Sequence, residues 1–417
     1  MRPSQILVPL ALVAGAGLLA CTPAECQNGA TQQGNCGLNN RGKVDQTCTN
    51  EAWVDTGTCV DPDVCKDGDL AATTSPCGFY GTHALKCVGG QFGSTYSNCT
   101  APQNLTIPVV GRKDVMPDMK RKRVYITTSG IATGGEVKVY NLMTRQFETS
   151  LHTGGQYFGM DLAPNGDELL VADGAGNGST DWIWKIDLTT GNATKITFTA
   201  GLGEAGTYSV AYTTQTEALV TARQSGSGAV PLRKVDLTAG TGVELRTIGQ
   251  DSMLAPSADR TVIGFESSNG SNGGWGRYRV SDGNFLDAAT GWFLFEIGTN
   301  RNGTQYAVPT YNGTYISDGA LVGLRTMGVY AGTQPNAAAY SPVADEIYFA
   351  WVNSTVSIDV YDTTTYQKLR TVEARTGLFD YTGNHGFDNG HMRISSDGTL
   401  LFVTSGSNVL GYVVSGQ

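Results

Sequence analysis

The chain has 417 residues, of which 40% are hydrophobic and 16% charged, and its formal net charge is −9. The hydrophobic content excludes a largely disordered chain, and the negative charge argues against a general nucleic-acid binder, which would need a basic surface. The 55 glycines, dispersed among Asn, Asp, Ser and Thr, are typical of an all-β protein with many tight turns.

The N-terminus has the pattern of an export signal. Met1-Arg2 precedes an apolar run from Ile6 to Ala20, which is shorter than the roughly 20 residues that span a bilayer but suits a signal peptide. The run ends in Leu18-Leu19-Ala20-Cys21, which resembles the bacterial lipobox. The resemblance implies that residues 1–20 are removed, that Cys21 is lipidated, and that residues 21–25 form a short linker.

We therefore expect an exported lipoprotein that a lipid anchor holds at the membrane of the cell envelope. Thr22 rather than Asp follows the cysteine, which in a host with two membranes resembles a signal for the outer membrane or cell surface. The alternative is an ordinary cleavage site beside a structural cysteine.

The other eight cysteines form two copies of one unit, in which each begins Cys-x-(Asn/Asp)-Gly and has Cys-Gly at its second cysteine. Corresponding cysteines are 39 to 41 residues apart, which indicates a tandem repeat. We call residues 26–62 module 1 and residues 63–101 module 2. Their cysteines are Cys26, Cys36, Cys48 and Cys59, then Cys65, Cys77, Cys87 and Cys99.

The spacing of these cysteines favours disulfides over a metal site. Zinc ligands usually come in close Cys-x(2–4)-Cys pairs, whereas neighbouring cysteines within a module are ten to twelve residues apart. An exported unit this small needs covalent stabilisation, and four cysteines leave three pairings open. The modules resemble the cysteine repeats of myxobacterial surface proteins, which implies a stalk or spacer.

From residue 102 onward the chain repeats a pattern of turn, short apolar strand, Gly-rich loop and strand about every 40 to 45 residues. Short strands in such a repeat are typical of a β-propeller. Seven second strands are predicted, at 123–129, 168–174, 217–223, 260–266, 304–310, 346–352 and 399–405.

The repeat resembles the YVTN family of seven-bladed propellers, which is related to the WD40 fold. This implies an all-β fold with a propeller over residues 102–417, although the weak fourth and fifth units leave six or eight blades open. The last unit has three evident strands, and Leu105 to Val110 is predicted to supply its fourth. Asp187 to Gly191 and Asp236 to Gly240 are predicted to close hairpins.

Alignment of the units predicts a polar ring where the inner strands begin, at the mouth of a central channel. Its members are Asp114, Gly159, Ser209, Ser252, Glu296, Ala337 and His391. Two carboxylates and a histidine could bind a divalent metal or perform acid–base chemistry. Polar residues could equally occupy such positions by chance.

The segment 384–391 adds His385 and Asp388, so the candidate ligand residues at the channel mouth are Asp114, Glu296, His385, Asp388 and His391. The alternative for this segment is a Gly/Asn-rich loop that enters the last blade. A basic run from Arg112 to Arg123 is read as a solvated turn, with contact to an anionic envelope polymer or lipid headgroups as the alternative.

The sequence contains no haem-attachment motif, Gly-x-Ser-x-Gly elbow or phosphate loop, so no cofactor and no catalytic residue is assigned. We expect a non-catalytic recognition or scaffold head that binds a protein or glycan through its loops. One alternative is a lactonase-like or other hydrolytic propeller enzyme with a metal at Asp114, Glu296 and His391. A second is a partner of an envelope assembly machinery.

Overall fold

The computed structural model describes residues 26–130, 132, 134–226, 228–269, 274–289, 295–310, 312–327, 334–352, 356–375 and 386–414. The predicted signal peptide, Cys21 and His385 lie outside the described residues. The described chain is all-β apart from one short helix, α1 (Gly386–Asn389). None of its helices is long and apolar enough to cross a membrane.

The chain forms two compact units. One is the described part of Met1–Pro76 together with Thr82–Cys99, and the other is Cys77–Gly81 with the described part of Thr100–Gln417.

Each cysteine module contains a three-stranded antiparallel sheet. The strands are β1 (Thr31–Cys36), β2 (Gly42–Thr49) and β3 (Ala52–Asp55) in module 1, and β4 (Leu70–Cys77), β5 (Gly81–Val88) and β6 (Gln91–Tyr96) in module 2. Few side chains are buried there, and those of Val44, Cys48 and Cys87 are among them. With so little apolar burial, the disulfides supply the constraint that a core would otherwise provide.

Disulfides join the first and third cysteines of both modules, as Cys26–Cys48 and Cys65–Cys87. A third bond joins the second and fourth cysteines of module 1, Cys36–Cys59. Cys77 and Cys99 are also disulfide-bonded. The predicted disulfide framework is therefore confirmed, and one of the three open pairings is selected in module 1.

The second unit consists of antiparallel sheets, which we number 1 to 7 in the described residues. Sheet 7 includes the first strand of the unit, β7 (Asn104–Pro108). Sheet 1 contains β8 (Arg112–Asp118), β9 (Arg123–Thr128), β10 (Gly135–Asn141), β11 (Gln146–Phe147) and β12 (His152–Gly155). Sheet 2 contains β13 (Tyr157–Leu162), β14 (Glu168–Asp173), β15 (Thr180–Asp187) and β16 (Ala193–Thr199). Sheet 3 contains β17 (Glu204–Tyr212), β18 (Glu217–Gln224), β19 (Ala229–Asp236) and β20 (Thr241–Gly249).

Sheets 4 to 7 follow the same order along the chain. Sheet 4 contains β21 (Ser252–Pro256), β22 (Val262–Ser267), β23 (Gly274–Arg279) and β24 (Asn284–Ala289), and sheet 5 contains β25 (Gly298–Thr299), β26 (Gln305–Thr310), β27 (Gly313–Asp318) and β28 (Gly323–Met327). Sheet 6 contains β29 (Gln334–Tyr340), β30 (Glu346–Val352), β31 (Val356–Asp362) and β32 (Lys368–Arg375). Sheet 7 contains β33 (Met392–Ile394), β34 (Leu400–Ser405) and β35 (Asn408–Val413) in addition to β7. The seven predicted second strands coincide with β9, β14, β18, β22, β26, β30 and β34, within one or two residues at their ends.

The first strand of each sheet contacts the first strand of the next, and β33 of sheet 7 contacts β8 of sheet 1. Sheet 7 takes its fourth strand from the start of the unit, since β7 pairs with β35 from Asn104 opposite Tyr412 to Pro108 opposite Asn408. The pairing predicted for residues 105–110 is therefore confirmed. The arrangement is β-propeller-like.

Burial explains why the second strands are almost continuously apolar. Leu169, Leu170 and Val171 on β14 are all 0% exposed, although successive side chains of a strand point to opposite faces. Leu170 packs toward sheet 3 with Tyr212, while Leu169 packs toward sheet 1 with Val139. Each sheet therefore buries both of its faces against its neighbours, and the core is divided among the spaces between sheets.

The predicted hairpin turns are confirmed. Asp187 Oδ1 accepts hydrogen bonds from the backbone N–H of Thr189 and Thr190, and Gly191 has a φ of 77°. The carboxylate caps the turn, and glycine takes the left-handed conformation that a side chain would disfavour. The turn at Asp236 repeats this pattern.

Candidate functional site

We call the first strand of each sheet its inner strand, which gives β8, β13, β17, β21, β25, β29 and β33. Polar side chains on or next to the inner strands connect neighbouring sheets. Asp114 Oδ2 accepts a hydrogen bond of 2.9 Å from the backbone N–H of Met160 in sheet 2. Glu296 Oε2 likewise accepts 3.2 Å from Ala338 in sheet 6. A buried N–H without a hydrogen-bond partner would cost about 1–3 kcal/mol. These carboxylates therefore stabilise the contacts between sheets.

The structure brings together Asp114, Glu296 and His391, which the alignment of the repeats placed at equivalent positions. His391 Nε2 lies 3.2 Å from Asp114 Oδ1, and His391 Nδ1 contacts Glu296 Oε1. All three side chains are at most 3% exposed. The imidazole therefore lies between two buried carboxylates.

Arg393 extends this cluster, with Nη2 3.2 Å from Asp114 Oδ2. Burial disfavours the charged forms of these groups, but Arg393 and His391 together hold the pKa of Asp114 well below its usual range. The carboxylates of Glu296 and Asp114 also overcome burial at His391 and raise its pKa above the ordinary value. We call Asp114, Glu296, His391 and Arg393 the ion cluster.

Glu266 on β22 is a further buried acid close to this cluster. It is 0% exposed, and neither carboxyl oxygen has a hydrogen-bond partner among the described residues. Burial and the charge of Glu296 raise its pKa well above the usual range. Both effects favour the neutral form of the Glu266 carboxyl.

The ion cluster has the geometry of paired charges rather than of a metal site. The two nitrogens of His391 point in opposite directions, each toward a different carboxylate, so the three residues do not converge on one point as ligands would. Within the described part of the chain, no group of three or more His, Cys, Asp or Glu side chains has an arrangement that could hold a metal ion.

The inner strands begin at an end of the unit that helix α1 occupies. Phe387 is 1% exposed and packs with Tyr208, their ring centroids 5.0 Å apart. A side chain at Gly159 would meet the Phe387 ring, since a Cβ there would lie 2.7 Å from it. Glycine at this position of the predicted polar ring therefore leaves space for the Phe387 side chain.

Two residues of the predicted basic run hold α1 in place. Arg112 donates to the carbonyl oxygens of Phe387, at 2.7 Å, and Asp388, at 3.1 Å. Lys113 forms an ion pair with the Asp388 carboxylate. Arg112 is only 5% exposed, so it is not part of a solvated turn as the sequence suggested. The predicted site residue Asp388 therefore lies beside Lys113 at this closed end.

The inner strands end at a cavity of about 920 Å³. Its lining comes from the inner strands and adjoining turns of all seven sheets, at 116–120, 161–166, 213–215, 255–260, 296–299, 301, 338–342 and 392–396 without 395. Glu296 and Arg393 of the ion cluster belong to this lining. A concave site at the common end of several strands is the usual place for recognition in such folds.

A second ion pair lies in the cavity wall. Arg260 holds Asp161 with two hydrogen bonds, of 2.6 and 3.0 Å, and also donates to the carbonyl oxygens of Leu162 and Tyr212. Asp161 raises the pKa of Arg260 against the opposing effect of burial. Since Asp161 belongs to sheet 2 and Arg260 follows β21 of sheet 4, the pair links separate parts of the wall.

Sequence reasoning predicted the carboxylates and the histidine of the ion cluster but missed Arg393, Arg260 and Asp161. Arg393 lies two residues after His391, where strand alternation directs it to the same side as the histidine. That spacing was a usable signal. Asp161 and Arg260 are 99 residues apart, and no sequence pattern indicated that they would meet.

No family model matches this chain, and no curated protein matches its sequence. Among solved structures, Kuenenia stuttgartiensis hydrazine synthase is similar, with a TM-score of 0.53 and 14% identity over 74% of this chain and 97% of that chain. Hydrazine synthase contains a β-propeller. At this identity the likeness shows the fold alone.

Proposed function

We propose that this protein is a cell-envelope lipoprotein whose second unit is a non-catalytic recognition head, and that its ligand binds in the cavity at the ends of the inner strands. The observation that carries this proposal is the cavity itself. It measures about 920 Å³ and is lined from all seven sheets, whereas Phe387 and Arg112 are buried where the inner strands begin.

The head is proposed to be a closed seven-bladed propeller of the YVTN and WD40 type. In support, β33 contacts β8 and the first and last parts of the unit share sheet 7. Closure would leave only short, protected sheet edges and would make the cavity wall rigid. A rigid wall suits recognition, because little conformational entropy is lost when a ligand binds.

The polar groups of the ion cluster support a binding function over catalysis. Asp114 and Glu296 accept backbone hydrogen bonds from neighbouring sheets, and His391 lies between them with 3% exposure. A general base must reach the proton that it removes, and these groups are committed to one another. No observation favours the lactonase-like hydrolase or the assembly partner.

The anchor at Cys21 remains a proposal from the lipobox pattern. The disulfide-bonded modules follow it in the chain, and we propose that they act as a spacer before the recognition head. A protein or glycan of the envelope or of the surroundings is the proposed class of partner.

A binding screen with matched surface variants tests the proposed function. Purified protein beginning at Cys26 is screened against envelope glycans and proteins, and each hit is remeasured with Ala258→Arg at the cavity rim and Leu202→Arg in the loop before β17. Both positions are exposed, so both variants should fold. Loss of binding in A258R with retention in L202R supports the cavity as the site. Loss in L202R alone contradicts it.

A further inference from the structure

We propose that the cavity binds a small aliphatic carboxylate, and that the guanidinium of Arg393 recognises its charged group. This rests on the proposed function, because it names the chemistry of the ligand at the same site.

The Arg393 guanidinium is the donor group of the wall on which the proposal rests. Arg393 lines the cavity, and its side chain is 17% exposed. Among the described contacts, it donates one hydrogen bond, to Asp114. A guanidinium has five N–H groups, so donors beyond the one on Asp114 remain for a ligand.

The buried carboxylates of the wall are already engaged. Asp118 accepts from the Tyr125 hydroxyl, Asp161 is held by Arg260, and Glu296 accepts backbone hydrogen bonds in addition to its contact with His391. A cationic or donor-rich ligand would have to break these bonds. An acceptor-rich ligand would instead accept hydrogen bonds from the exposed part of the Arg393 guanidinium, which is why we infer an anion.

The charges near Arg393 permit a negative ligand. His391 lies between Asp114 and Glu296, and Arg260 neutralises Asp161. Together with Arg393 itself, these two cations balance the three carboxylates, so no uncompensated negative charge would repel an anion. A planar carboxylate also matches the fork of a guanidinium, which can donate two parallel hydrogen bonds to it.

The cavity lining also includes apolar side chains. Met116, Ile297 and Met392 line the cavity and are 9%, 3% and 2% exposed. A ligand with a short aliphatic chain would cover this surface, and each buried methylene would contribute about 0.8 kcal/mol. The combination of a guanidinium with such a wall favours an aliphatic carboxylate over an inorganic anion or a sugar acid.

Titration calorimetry with hexanoate tests this proposal on the protein beginning at Cys26. We expect hexanoate to bind, and its neutral amide, hexanamide, to bind at least about tenfold more weakly, since a hydrogen bond to a charged group is stronger than one to a neutral group. Phosphate and glucuronate, which lack an aliphatic chain, are expected to bind more weakly than hexanoate.

Two variants locate the carboxylate. Arg393→Gln should weaken hexanoate binding by about tenfold or more, whereas Arg301→Gln removes the same charge from the exposed rim and should have little effect. Arg301 is 45% exposed and pairs with Asp345. Because R393Q also removes a partner of Asp114, Arg393→Lys provides a second test with a smaller expected loss, since lysine keeps the charge but lacks the fork of the guanidinium. Thermal melting checks that every variant is folded.

Several results would overturn the proposal. These are equal binding of hexanoate and hexanamide, a preference for glucuronate or phosphate, equal effects of R393Q and R301Q, or no binding of hexanoate. If hexanoate fails to bind while a screened partner is still lost in A258R, the carboxylate proposal is wrong and the cavity remains the recognition site. If that partner is lost only in L202R, the proposed site itself is wrong.

Discussion

At the scale of single residues, the ion cluster stabilises the contacts between sheets. His391 is the only cation of the described residues that contacts both Asp114 and Glu296, and all three side chains are buried. Removing one member of a buried ion group leaves uncompensated charge, which is far more costly than replacing the whole group. The cluster is therefore expected to respond strongly to single substitutions.

We predict that His391→Gln lowers the free energy of unfolding by about 3 kcal/mol or more near pH 6, because two buried carboxylates lose their shared cation. Urea denaturation measures the change. Glu266→Gln is a matched control in the same region, since burial favours the neutral form of Glu266, and it should change stability by less than about 1 kcal/mol. Equal effects of the two substitutions would show that the charge of His391 has no special role.

The pH dependence of this difference has a defined sign. The folded state raises the pKa of His391, so its contribution is complete below the unfolded value of about 6.5 and is lost as the pH rises through the folded value. The stability gap between the wild type and H391Q should therefore narrow in alkaline solution. A gap that does not narrow at any alkaline pH at which the protein stays folded would contradict the assignment of a charged imidazole.

Asp181 on β15 is expected to destabilise the fold, whereas His391 stabilises it. Asp181 Oδ1 accepts a hydrogen bond from the backbone N–H of Gly206, and its Oδ2 has no hydrogen-bond partner in the part of the chain that the structure describes. Burial together with the charge of Glu204 raises the pKa of Asp181 to about 6. The folded state therefore retains a proton that the unfolded state releases near pH 4, so this carboxyl destabilises the fold as the pH rises from about 4 to 6.

We predict that Asp181→Asn stabilises the protein at pH 7.5 by up to about 3 kcal/mol, which is roughly two pKa units at about 1.4 kcal/mol each. At pH 4 the substitution should have little effect, since the wild-type carboxyl is then protonated. Urea denaturation at both pH values measures this difference, with the exposed Asp287→Asn as a control. The same gain at both pH values would refute the mechanism.

At the scale of elements, the decisive strand is β7, which joins the start of the second unit to its last sheet. Ile107 is 0% exposed and pairs with Val409, whereas Thr106 on the same strand is exposed. The sequence predicted this pairing because the last repeat lacked one strand. It could not select the disulfide pairing of the modules, because all three pairings suit cysteines with nearly equal spacing.

We predict that Ile107→Ala lowers the free energy of unfolding by about 2–5 kcal/mol, as expected for truncation of a buried aliphatic side chain. Because β7 connects both ends of the unit, the loss should appear as one cooperative shift of the whole unit in thermal or urea denaturation. Thr106→Ala is the control and should shift the transition little. A separate early transition of sheet 7 alone would contradict this role of β7.

At the scale of the whole molecule, the repeat made the fold predictable, and it also brought Asp114, Glu296 and His391 together through one alignment. The open cavity was not predicted. The alignment predicted a site where the inner strands begin. Phe387 is buried at that end, and the cavity lies where the inner strands end. Which end stays open depends on turn conformations and on one side chain, and strand periodicity carries no information about either.

Crystallography of the protein with 6-bromohexanoate tests directly whether an aliphatic carboxylate binds in the cavity, because bromine can be located by its anomalous scattering. We expect a bromine peak in the cavity against the side chains of Met116, Ile297 and Met392, with the carboxylate at Arg393. A peak at the end occupied by Phe387, or a cavity that holds only ordered water at saturating ligand, would contradict it.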